Sequence, residues 1–168
     1  RWLMSNSLFP LVGVLVLGLG ATLTFDLWVF FLRHAFNIPA SNICLVGRWL
    51  RYMPEGIFKH SNLASAPPKS AECVIGWAAH YLIGILFAAA FVAIAGSSWL
   101  QHPTLLPAIG FGVVTVVAPL FIMQPLFGLG IAASRTSNPA RARLRSLMNH
   151  IVFGVGLYLF GVGLSWVR

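Results

Sequence analysis

Asp26, His80, Gln124 and His150 each stand inside a long apolar run. Ionisable and amide side chains are costly in such surroundings and usually face a neighbouring helix or a polar cavity. A carboxylate and two imidazoles could hold and move a proton, because imidazole changes charge near neutral pH. Two histidines and an aspartate (His80, His150, Asp26) also suit zinc, iron or copper. No EXXH or HEXXH spacing supports a metal, so the metal and any cofactor stay unassigned. The same four residues could equally form a hydrogen-bond network that fixes helix register, with Asp26 bonded to a histidine or to Arg33.

A second set of chemistry-bearing residues lies between the runs. Arg48, Arg51, Arg135, Asn138, Arg141 and Arg145 are candidates for an anion or a lipid headgroup. Ser134-Arg135-Thr136-Ser137-Asn138 leads into Pro139, and Asn before Pro is a strong helix start. Plain anchoring of the chain at the membrane surface competes with this reading. There is no P-loop, no GxGxxG and no GxSxG, and no spacing marks a catalytic triad. No catalytic residue is assigned, and His34, His60 and His102 read as solvated.

The elements that must position these residues follow from composition. Of 168 residues, 58% are hydrophobic and 8% charged, against about 25% charged in a soluble domain. Too few charges remain to cover a globule, so much of the surface faces lipid. Apolar runs at about Leu8–Phe31, Cys73–Ala95, Leu105–Leu129 and Leu147–Val167 are each long enough to cross a bilayer core of roughly 30 Å. Unpaired backbone cannot face lipid, so the runs are helices. The expected fold is an all-α, integral membrane four-helix bundle in one domain, residues 1–168. The first run is too long for a signal peptide, and a chain beginning at Arg1 rather than Met leaves its natural N-terminus open.

The net charge of +8 suits the membrane surface better than nucleic acid, because the basic residues sit between the apolar runs. The first and third loops carry nearly all of them. These loops share one side of a four-span protein, and the positive-inside rule puts that side in the cytoplasm and both termini outside. Cys44 and Cys73 fall on that side, where thiols stay reduced, and read as packing residues. In the first loop, Ile43, Val46, Trp49, Leu50 and Met53 make a helical apolar stripe. Ser41 is its candidate cap, and Pro54-Glu55-Gly56 ends it. Ser70 is the candidate cap of the second span. Pro119 and Pro125 should kink the third.

Small residues share faces with the polar ones: Gly18, Thr22 and Asp26; Gly76, His80, Gly84 and Ala88; His150, Gly154, Leu157 and Gly161. Membrane helices approach each other along such stripes, so the polar residues are expected at helix interfaces in one cluster. The functional readings are a binding or transport protein for a small solute, ion or lipid headgroup, an accessory subunit of a larger membrane complex, and an enzyme acting on a lipid or quinone. Expected partners are the bilayer, anionic lipid headgroups, and a second copy or a larger complex.

Several longer motifs support a family resemblance. Gly76-Trp77-Ala78-Ala79-His80-Tyr81, the stretch Gln124-Pro125-Leu126-Phe127-Gly128-Leu129-Gly130-Ile131-Ala132-Ala133-Ser134-Arg135, and Asn149-His150-Ile151-Val152-Phe153-Gly154-Val155-Gly156-Leu157-Tyr158 are the most specific. With Gly47-Arg48-Trp49 and the segment from Ala21-Thr22 to Asp26-Leu27-Trp28, they resemble an uncharacterised bacterial family of small four-span inner-membrane proteins, domain of unknown function 2938. The resemblance covers nearly the whole chain. It implies a one-domain bacterial inner-membrane protein and carries no activity, cofactor or catalytic residue.

Overall fold

A computed structural model describes the backbone of residues 2–167 and the side chains of residues 9–167. The described chain is helical, without strands. Its main helices are α1 (Trp2–Phe36), α2 (Cys44–Tyr52), α3 (Glu72–Ala95), α4 (Leu105–Thr115), α5 (Gln124–Leu126) and α6 (Pro139–Trp166). A π-helical segment, Ala118–Met123, joins α4 to α5. Proline at 119 lacks the N–H that a regular turn needs, so the third span changes its hydrogen-bond register there. Four helical stretches are long and apolar enough to cross a membrane: Phe9–Phe36, Glu72–Ala95, Leu105–Leu126 and Pro139–Trp166. Large apolar side chains such as Leu106 (81% exposed) and Ile94 (77%) cover the outside, as a lipid-facing surface requires.

The helices form an arc more than a closed ring. α1 packs against both α3 and α6, and α4 packs against α6, whereas α3 and α4 touch little. Leu17, Ala21, Ala88, Phe91, Phe153 and Leu157 fill the centre. The connector between the second and third spans is a 3-10 turn, Ser97–Leu100, and its Trp99 and Leu100 are buried in that same core. It therefore plugs one end of the bundle rather than simply linking two helices.

The opposite end is built from the first and third loops. His60 N–H donates to Leu126 O at 2.9 Å and Leu63 N–H to Phe127 O at 3.0 Å. Leu63, Tyr52, Val46 and Phe127 make a second small core beneath them. His60, expected in solvent, packs edge-on against Tyr52, and its Nε2 is buried without a partner. α2 is the amphipathic helix anticipated for the first loop. Ser41 does not cap it: Ile43 precedes α2 without a side-chain cap, and Asn42 Oδ1 accepts from the Cys44 N–H at 3.0 Å. Gly56, with φ 76°, closes the following turn, a conformation glycine adopts without strain. Ala71 rather than Ser70 precedes α3, without a side-chain cap. Glu72, the first residue of α3, instead accepts the N–H of Lys69 in the preceding turn at 2.8 Å.

Cys44 and Cys73 are joined in a disulfide, not left as separate packing thiols. The reason is the close crossing of α2 and α3. A Cβ at Gly47 would overlap Glu72 O, so only glycine lets the backbones meet, and the paired Cα atoms are 4.0 Å apart. Beside the crossing, Arg48 forks onto Glu72. Its Nε and Nη2 donate to the two carboxylate oxygens, each at 2.8 Å, and Nη1 donates to Ala66 O at 2.8 Å. The neighbouring carboxylate holds this guanidinium above its already high ordinary pKa.

Candidate polar sites within and beside the membrane

α1 and α3 run antiparallel along the two small-residue stripes. Gly18 meets the backbone of Ile85, and Gly84 meets the Thr22 hydroxyl, where a Cβ would overlap Oγ1. Thr22 returns its hydroxyl proton to Gly18 O at 2.7 Å, so it packs without an unpaired group. One turn further, the same stripes bring Asp26 to His80 and Tyr81. His80 Nε2 donates to Asp26 Oδ1 at 2.9 Å and Tyr81 Oη to Oδ2 at 3.0 Å. Both carboxylate oxygens are thus occupied by donors from one neighbouring helix. The side chains of His80 and Asp26 are 19% and 21% exposed, so the group is not sealed. By helical rise Asp26 and His80 lie about 12 to 15 Å from the nearer helix ends.

His150 belongs to a separate pair. Thr115 donates its one hydroxyl hydrogen to Gly112 O at 2.6 Å. The 2.8 Å contact between Thr115 Oγ1 and His150 Nδ1 is therefore a hydrogen bond donated by the imidazole. Phe25 stands between the two centres, its ring 5.5 Å from that of His80 and 6.0 Å from that of His150. Gln124 joins neither centre. The third span ends near Leu126, so Gln124 sits at the rim, and its Oε1 is buried without a partner. Instead of one cluster there are a hydrogen-bonded trio, Asp26 with His80 and Tyr81, and a pair, His150 with Thr115, divided by an aromatic ring. No three His, Cys, Asp or Glu side chains converge for a metal among the described residues.

Tyr81 and Thr115 were missed by reading stripes. Tyr81 follows His80 directly, which puts it about 100° round the helix, and it still reaches Asp26. Thr115 passed as an ordinary residue of an apolar helix. Asn149 was also passed over; it is 7% exposed and its Oδ1 has no partner.

The candidate anion residues also separate. Arg48 is spent on Glu72, Arg51 reaches Ser70 at 3.4 Å, and Arg135 is exposed. Asn138 caps α6 as anticipated, accepting the Arg141 N–H at 3.0 Å. Asn138, Arg141 and Arg145 line one groove of about 400 Å³, which also touches Asn37, Ile38 and Pro39.

Four long apolar helices, with polar groups held between them, define a four-span α-helical membrane protein. Residues 15–163 match the family described as Protein of unknown function (DUF2938), and the chain belongs to that family. No curated protein and no solved structure matches it.

Proposed function

We propose that the protein is a multi-span binding or transport protein of a bacterial inner membrane, with Asp26, His80 and Tyr81 as its proton-holding site. One observation carries this reading: within the spans, a carboxylate takes one hydrogen bond from an imidazole and one from a phenol on a single partner helix. An intramembrane carboxylate is expensive to keep, and an imidazole hydrogen-bonded to it can carry the proton that balances its charge. The site lies toward the end that carries the basic loops. All the Lys and Arg except Arg1 and Arg168 belong to that end, which supports a cytoplasmic placement with both termini outside.

Infrared difference spectra of the protein in lipid nanodiscs, stepped between pH 8 and pH 5, test the site. The expected result is an imidazole-to-imidazolium change on acidification that is lost in His80→Ala and altered in Asp26→Asn. A spectrum with no Asp26-dependent change from pH 4 to pH 9 would reduce the trio to a fixed strut between α1 and α3.

A second reading rests on a different feature. An apolar groove of about 320 Å³, open to the lipid side, is lined by Val16, Leu19, Gly20, Leu23, Phe160 and Tyr81. A quinone or lipid lying there would bring its polar head to the Tyr81 hydroxyl, as an enzyme acting on such a molecule needs. Saturable binding of a short-chain quinone, abolished by Leu23→Trp, would favour this reading over the first.

A further inference from the structure

All three acidic side chains of the chain are already engaged. Asp26 is held by His80 and Tyr81, Glu55 by Lys69, and Glu72 by Arg48. The other basic residues have no carboxylate side chain left to neutralise them, so their counter-charge comes from outside. Two of them are gathered in one place. Arg141 and Arg145 stand one turn apart on the same face of α6 and both line the groove beneath the chain that leaves α1. Among the described residues neither guanidinium has a hydrogen-bond or ion-pair partner, although like charges at this spacing repel. No acidic residue lines the groove, and the Ser137 hydroxyl at its edge is likewise unbonded. Asn149, buried and with Oδ1 unpaired, follows one turn beyond Arg145.

We propose that this groove binds a phosphate group. Guanidinium forks match phosphate oxygens two at a time, and the volume lies in the range of small-ligand sites. The arginines occupy the first turns of a span, where phospholipid headgroups lie. That phosphate belongs either to an anionic phospholipid or to a soluble phosphate compound. The inference is independent of the Asp26 site, which lies deeper in the spans and uses none of these residues.

The test is binding to the delipidated full-length chain in a neutral detergent. The two probes are phosphatidylglycerol in mixed micelles, with phosphatidylcholine as reference, and inorganic phosphate. Saturable binding of phosphatidylglycerol that phosphate does not displace assigns the site to lipid. Saturable binding of phosphate assigns it to a soluble compound. In either case R141Q/R145Q should weaken binding about tenfold or more. R51Q/R135Q, which removes the same charge outside the groove, should change it by less than about twofold. R141K/R145K keeps the charge but loses the forks and should fall between. No saturable binding of either probe, or equal losses in the groove and control variants, would overturn the proposal. The wild-type unfolding midpoint, kept by every variant in the absence of probe, shows that folding is not the cause.

Discussion

Arg48 and Arg145 lie at the same end of the bundle, both beside the start of a membrane span. Arg48 has a carboxylate on two of its nitrogens and a backbone carbonyl on the third. Arg145 has none of these and faces a groove. An arginine with all three nitrogens engaged inside the fold is part of the scaffold, and replacing it leaves its partners unpaired. An arginine with all its donors open is available to something else, and replacing it strands nothing. Residue type and neighbourhood in sequence do not separate the two; only the partner does.

The largest effect should come from prising the scaffold side apart. Gly47→Leu drives a side chain into the α2–α3 crossing and should destabilise by about 3 kcal/mol. Thermal unfolding in detergent would register it, and loss of the Cys44–Cys73 link on a non-reducing gel would confirm the cause. Reducing that link in the wild type should cost less, about 2 kcal/mol, because the Gly47 crossing and the Arg48–Glu72 fork remain. An unchanged midpoint after reduction would mean those two contacts suffice alone. Labelling in intact cells carries the same pair further. Cysteines open to a membrane-permeant maleimide but closed to an impermeant one place this end inside, whereas a disulfide resistant to both places it outside.

The two arginines can then be compared directly. Arg48→Ala should lower the unfolding midpoint by several degrees. Arg145→Ala should leave it within about 0.5 kcal/mol of wild type. Equal losses would erase the distinction between scaffold and open arginine. The smallest and sharpest change is Asn138→Asp. An aspartate still caps α6 and suits the positive end of a helix, so stability should hold or rise by a few tenths of a kcal/mol. The added negative charge beside the groove should nonetheless weaken phosphate binding, measured by the same titration.

Helix positions were largely legible because twenty-residue apolar runs have few alternatives in lipid. The contacting faces of α1 and α3 were legible too: Thr22 and Asp26 on one small-residue stripe meet Gly84 and His80 on the other. What could not be read were the events between elements. A stripe says which face a histidine occupies, not which of two neighbouring helices that face meets. His80 looks toward α1, whereas His150 turns to Thr115 on α4. The disulfide was hidden by a compartment argument that treated cysteine chemistry before geometry, and the glycine that brings the backbones together gave no sign of its neighbour. Capping failed where a helix starts a residue or two from the expected cap: Ile43 rather than Ser41 precedes α2, and Ala71 rather than Ser70 precedes α3, neither with a side-chain cap.

The sparse contact between α3 and α4 has a mechanical meaning. Three of the neighbouring helix pairs are seams packed along their length, and this one is nearly unstitched. Lateral strain from the surrounding bilayer would concentrate there, since parting these two helices disturbs few contacts. The bundle then behaves as a clasp hinged on α1 and α6, with Trp99 and Leu100 as the stop at one end and the cross-linked α2 as a splint at the other.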